Sequence, residues 1–174
     1  ELSGVVDSLG KGVTNFTLGD SVYATTLLSM GGYAEYICLP SSAAIALKPE
    51  SLSYLEAAAI PTGAGTALYF LRKASLGKGQ HILIYGASGS VGTYAIQLAK
   101  YFGAEVTGVC SARNNELVKS LGADHVLDYQ HPDFENQLTK YDVVLVAVDK
   151  IPFKLCLRAM KEKGVYINVS LPLR

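Results

Sequence analysis

Along the first fifty residues the apolar positions come in short runs, at 2–6, 21–23 and 33–39, separated by turns rich in Gly, Asn, Ser and Thr. Runs of that length between turn residues predict three strands. The character changes at Ser53. Ser53-Tyr54-Leu55-Glu56 has the spacing of a capping box and opens an alanine-rich helical segment, interrupted at Pro61 and resumed over 62–74. After the turn at 76–79, apolar runs of strand length alternate with 3.6-residue periodicity. Strands are predicted at 82–85, 105–109, 125–127, 143–148 and 165–169, and helices at 94–101, 115–121, 134–138 and 153–160. Strands that are apolar throughout, each followed by a helix, are those of a parallel sheet covered on both faces. The expected fold is therefore α/β, a doubly wound parallel sheet over 53–174 preceded by part of an all-β domain over 1–52.

The join between the strand at 82–85 and the helix after it reads Gly86-Ala87-Ser88-Gly89-Ser90-Val91-Gly92. A glycine-rich strand-to-helix turn presents bare backbone N–H groups at the positive end of a helix dipole, which is what a diphosphate needs. In that reading Gly86 permits the sharp turn, Gly89 lets the backbone approach the phosphates, and Gly92 lets the helix pack on the sheet. The spacing G-x-x-G-x-x-G is one residue off the common first step, so by itself it also fits a tight turn with no ligand. The surrounding strand–helix–strand unit favours a dinucleotide.

At the end of the second strand of such a unit a carboxylate would bind the adenosine ribose hydroxyls of NAD. Here the position holds Cys110-Ser111-Ala112-Arg113. A Ser hydroxyl beside a guanidinium suits a 2′-phosphate, so NADPH is the expected cofactor.

Composition narrows the field further. The 174 residues are 49% apolar, enough for a sizeable core, and no uninterrupted apolar stretch approaches a membrane span. With no such stretch no membrane partner is expected, and because fifteen basic and fifteen acidic residues cancel, with no basic stripe, no nucleic-acid partner is expected either. Cys38, Cys110 and Cys156 are far apart and odd in number, as expected of buried thiols in a reducing, cytoplasmic compartment. His81, His125 and His131 show no metal-ligand spacing and are expected at strand ends or on the surface. The chain opens at Glu1 inside a strand-like run and stops just after the fifth strand of the sheet, so both ends are expected to be cut.

Several further motifs then fall into a recognisable order. Glu1-Leu2-Ser3-Gly4-Val5-Val6 resembles the end of G-H-E-x-x-G-x-V in medium-chain dehydrogenases/reductases. Gly19-Asp20-Ser21-Val22 resembles their G-D-x-V turn, and Gly31-Gly32-Tyr33-Ala34-Glu35-Tyr36 their G-x-x-A-E-Y segment. Residues 57–67 resemble the linker into the nucleotide domain, and residues 121–129 the G-A-D-x-V-I-D-Y signature. The resemblance covers essentially the whole chain and is closest to the zinc-independent, quinone oxidoreductase-like branch.

That resemblance implies a GroES-like substrate domain, only partly present, followed by a Rossmann domain. It implies an NADPH-dependent oxidoreductase, a homodimer when full-length, that passes hydride to a quinone or an α,β-unsaturated carbonyl. It carries Ser88, Gly89, Ser90 and Val91 to the pyrophosphate, Ser111 and Arg113 to the 2′-phosphate, Tyr129 to the adenosine ribose and Thr62, as the catalytic candidate, to the nicotinamide. Zinc-dependent members carry Cys where this chain has Thr62, and the four-cysteine lobe has no counterpart between Val22 and Gly31, so no metal is expected. A non-catalytic NADPH-binding scaffold or sensor and a zinc-dependent alcohol dehydrogenase are the alternatives.

Overall fold

A computed structural model describes residues 1–26 and 29–169. The chain divides into two compact units, Glu1–Gly65 and Thr66–Arg174, and the division falls within a single helix. Residues 170–174, at the end of the expected nucleotide domain, lie outside the described residues.

In the first unit β1 (Leu2–Val5), β2 (Ser21–Ala24) and β3 (Ile45–Leu47) form an antiparallel sheet in that order. The third strand is not the one expected. Residues 33–39 form no strand; Tyr33 and Tyr36 are exposed. Ile45–Leu47 instead takes the free edge of β2, pairing Ala24 with Ile45 and Val22 with Leu47. An apolar run becomes a strand only where a neighbour accepts its amides, and 33–39 has none among the described residues.

Helix α1 (Tyr54–Ala58) opens with the predicted capping box: Ser53 Oγ accepts the Glu56 N–H at 3.2 Å, and the Glu56 carboxylate accepts the Ser53 N–H at 2.9 Å. The Ser53 N–H first, and then the Ser53 hydroxyl, which donates to the same carboxylate at 2.8 Å, hold the Glu56 carboxyl below its ordinary range. Pro61 does not interrupt a helix; it lies in the first turn of α2 (Ile60–Lys73), where its missing N–H costs nothing.

The second unit is built on β4 (His81–Tyr85), β5 (Glu105–Cys110), β6 (His125–Asp128), β7 (Tyr141–Val146) and β8 (Met160–Asn168). They form one parallel sheet in the order β6-β5-β4-β7-β8. The connecting helices are α3 (Ser90–Tyr101), α4 (Asn115–Ser120), α5 (Phe134–Gln137) and α6 (Phe153–Ala159). The sheet is the five-stranded Rossmann-type α/β fold expected, with its order reversing at β4.

Ile82, Ile84, Val106, Val143 and Leu145 belong to one buried cluster, while Leu83, Tyr85, Val109, Val144 and Val146 belong to another. Alternate side chains of each strand thus enter different cores, which explains why the strands read as unbroken apolar runs.

Two aspartates clamp the edge where the strands begin. The Asp142 carboxylate accepts the His81 N–H at 2.8 Å and the Lys161 ammonium at 2.8 Å, joining β4 and β8 to β7. Asp124 accepts the Val106 N–H at 2.7 Å and the Lys100 ammonium at 2.7 Å. Burial pushes both carboxyls up, but these hydrogen bonds and the lysine charges outweigh it and hold them below the ordinary range. All three cysteines are free; Cys110 and Cys156 are buried as expected, whereas Cys38 is exposed.

Candidate functional site

The C-terminal end of β4 meets the glycine loop at the point where the strand order reverses, the usual ligand position in an open parallel sheet. Gly86 has φ +85°, a left-handed turn that a side chain resists, and a Cβ there would come within 2.9 Å of Val148 Cγ2. The Gly86 and Ala87 amides both donate to the Val109 carbonyl, at 3.1 and 3.0 Å, tying the loop to the end of β5. A Cβ on Gly92 would lie 2.2 Å from the Gly86 carbonyl oxygen, so the first turn of α3 sits directly against the loop. This helix starts four residues before the predicted Tyr94, because Ser90, Val91, Gly92 and Thr93 form a first turn too polar or small to show apolar periodicity.

Gly89 differs from its two neighbours in the motif. Its φ of −84° suits any residue, and a Cβ there would meet only the Gly86 oxygen, at an ordinary 3.4 Å. The protein's own packing therefore does not require glycine at this exposed helix cap. Having no side chain, Gly89 cannot cap the helix, and its own N–H is donated to the Gly86 carbonyl at 3.1 Å. The N–H groups of Ser88, Ser90, Val91 and Gly92 have no acceptor among the described residues. A bare loop with unused amides at the positive end of a twelve-residue helix fits a diphosphate.

Ser111 follows the last residue of β5 and caps a short turn, Ala112–Asn114, that leads into α4. Asn114 brings it to the loop: the Asn114 amide nitrogen donates to Ser88 Oγ at 3.0 Å and to Ser111 Oγ at 3.3 Å. Arg113 is exposed, and its guanidinium makes no hydrogen bond or ion pair among the described residues. Tyr129 donates its backbone N–H to the Cys110 carbonyl at 3.3 Å, and its ring lies 6.1 Å from that of Tyr85, the last residue of β4. Burial, then the Tyr129 and Cys156 groups nearby, push the Tyr85 phenol above its ordinary range. The Cys110 thiol is likewise raised, by burial and then by Asp128.

Ser88, Ser90, Val91, Ser111, Arg113 and Tyr129 thus gather at the ends of β4, β5 and β6 in the second unit. Thr62 belongs to the first unit, where its backbone N–H is donated to the Glu1 carboxylate at 2.8 Å and its side chain is exposed.

Two contributors escaped the sequence reading. Asn114 carried no motif signal, since Asn before a helix reads as an ordinary cap. Gly108, inside β5, leaves room for Ala87: a Cβ there would stand 2.6 Å from Val118 Cγ1 and 3.2 Å from Ala87 Cβ. An isolated glycine inside a strand was the available signal.

Among the described residues no group of three or more His, Cys, Asp or Glu side chains is placed to hold a metal ion.

Residues 1–49 match the alcohol dehydrogenase GroES-like domain, and residues 90–174 match the zinc-binding dehydrogenase domain. The chain is 39% identical over 181 residues to the chloroplast envelope quinone oxidoreductase homolog of Arabidopsis thaliana, covering 98% of this chain and 55% of that protein. It is 38% identical over 179 residues to 2-methylene-furan-3-one reductase of Solanum lycopersicum, covering 98% and 45%. The quinone oxidoreductase structure from Coxiella burnetii superposes with a TM-score of 0.81 at 33% identity, covering 95% of this chain and 53% of that one. The chain spans about half the length of the curated relatives it matches. On its two domain matches, its parallel sheet and these relatives, the chain belongs to the medium-chain dehydrogenase/reductase superfamily, as a quinone oxidoreductase-like member.

Proposed function

We propose that this chain is the cofactor-binding part of an NADPH-dependent oxidoreductase that reduces a quinone or an α,β-unsaturated carbonyl without zinc. The observation that carries the reading is the bare Gly89 loop, whose Ser88, Ser90 and Val91 amides have no acceptor among the described residues, joined through Asn114 to the Ser111 hydroxyl just after β5, two residues before the exposed Arg113. When bound, the reduced nicotinamide supplies a hydride, and the acceptor takes up that hydride and a proton.

The chain's own residues supply binding and orientation. The amides of Ser88, Ser90 and Val91 hold the pyrophosphate, with Gly89 giving way to it. Ser111 and Arg113 take the 2′-phosphate, a charge-assisted contact that NADH cannot make. Tyr129 covers the adenosine ribose. Thr62, with its amide fixed by Glu1, keeps its side chain for the nicotinamide end. Two relatives support the acceptor class, since one is named for quinones and the other for a methylene-furanone. Independence from zinc rests on Thr62 standing where zinc-dependent relatives carry a cysteine; a threonine hydroxyl is a poor ligand for that metal.

The test follows NADPH absorbance with the intact enzyme and a panel of quinones, enals, simple aldehydes and alcohols, with and without a chelator. Chelator-insensitive turnover of quinones or enals, with NADPH preferred over NADH, is expected. Turnover confined to simple alcohols and abolished by the chelator would overturn the reading, as would NADH binding at least as tightly as NADPH.

A further inference from the structure

Asn114 occupies the N-cap of α4, where an asparagine ordinarily accepts an amide of the first turn, yet it makes no such cap bond. Its carboxamide is spent elsewhere. The Nδ2 group has two hydrogens, and two hydroxyl oxygens receive them: Ser88 Oγ on the glycine loop and Ser111 Oγ at the end of β5. Neither hydroxyl has another partner among the described residues.

We propose that Asn114 is a positioning residue for phosphate recognition, donating to Ser88 Oγ and Ser111 Oγ so that both hydroxyls must turn their own hydrogens outward as donors. A serine hydroxyl is donor and acceptor at once, and without a constraint it rotates to suit its neighbours. With Asn114 donating, one lone pair of each hydroxyl is engaged on the protein side, and neither hydroxyl can aim its own hydrogen at Asn114 Nδ2. An anion such as a phosphate group then meets a hydroxyl already oriented to donate, and pays less in ordering it. The same carboxamide joins the loop expected at the pyrophosphate to the strand end expected at the 2′-phosphate, so the two subsites are set together. The inference rests on the NADPH reading above and deepens it by naming a residue that contacts neither phosphate.

Asn114→Asp is nearly isosteric but reverses the polarity, since a carboxylate would accept from both hydroxyls and add a negative charge. NADPH and NADH dissociation constants are measured by calorimetry on the intact enzyme, wild type and Asn114→Asp, together with the melting temperature of the cofactor-free protein. The expected result is an NADPH affinity reduced about 30-fold and an NADH affinity reduced about threefold, from losing charge-assisted hydrogen bonds at one subsite more than at the other. An unchanged NADPH-to-NADH ratio overturns the proposal.

A double-mutant cycle with Asn114→Ala and Ser111→Ala provides a second readout independent of Asn114→Asp folding. Losses in NADPH affinity that overlap in the double variant are expected, because one residue acts through the other. Additive losses, or equal weakening of both cofactors with a lowered melting temperature, assign Asn114 a purely structural role and overturn the proposal. Should wild-type enzyme bind neither nicotinamide, the NADPH reading itself falls and the inference with it; binding by wild type with unaltered variants sinks the inference alone.

Discussion

The two units of this chain are held together by different physics. In the second, the largest fully buried side chains, from Leu71 through Ile84 and Val106 to Leu145, pack on both sides of a parallel sheet. In the first, the buried apolar side chains among the described residues are Val22, Ala24 and Ala57, while Val5, Tyr33, Tyr36 and Leu55 are exposed. Local hydrogen bonds carry more of that unit: the Ser53–Glu56 box, Glu1 on the Thr62 amide, and Asp20 accepting the Thr17 amide at 2.8 Å. The difference teaches where precision resides. The glycine loop is fixed by a close-packed core, so its geometry is a consequence of the fold, whereas the first unit has little core with which to impose one.

The sharpest way to break the comparison is at the loop's contact with the core. Gly92→Ala would place a methyl 2.2 Å from the Gly86 oxygen, and the forced shift of backbone is expected to cost about 3 kcal/mol by urea denaturation. A cost within the error of the measurement would mean that the helix is not seated on the loop.

A pair of truncations compares the units directly. Leu145→Ala, fully buried, is expected to lose about 2–5 kcal/mol of stability. Val5→Ala, at 55% exposure, is expected to change it by about 0.5 kcal/mol or less. Equal costs would erase the distinction drawn between the two units.

The smallest effect concerns the strand-start clamp. Asp142→Asn removes a charge that accepts the His81 amide and Lys161, and is expected to cost about 1 kcal/mol near neutrality, after allowance for its partial exposure. Because the native carboxyl is held below its unfolded value, the stabilisation is present above about pH 4 and is lost as pH falls through the lowered native value. Wild type and variant should therefore converge in acid; a gap that stays constant to low pH would exclude the carboxylate as its source.

The same contrast decided what the sequence could reveal. Strands β4, β5 and β7 are legible because each is buried almost throughout, a pattern set by the strand itself, whereas the edge strand β8 begins at Met160, five residues before the expected 165, with exposed Lys161, Glu162 and Lys163 that carry no apolar pattern. Residues 33–39 misled because strand formation there depends on a partner, which the run does not encode, while Ile45–Leu47 is too short to stand out. The start of α3 is hard to read because its first turn follows the needs of close packing on the glycine loop, not of an apolar stripe. In the site, Gly86 and Gly92 announced themselves by spacing, and Ser111 and Arg113 by position. Asn114 did not, because its role lies in two side-chain hydrogen bonds, one to a residue 26 positions away.

Of the motif's three glycines, Gly89 alone tests ligand binding apart from folding. Its backbone conformation accepts a side chain and its Cβ position is open, so Gly89→Ala should leave the melting temperature within about 2 °C of wild type. The decisive measurement is the NADPH dissociation constant of Gly89→Ala beside wild type, in the intact enzyme. If the loop's bare amides grip the pyrophosphate, affinity should fall at least about tenfold, the loss of one charge-assisted contact. A variant that melts like wild type and binds NADPH as tightly would contradict the account.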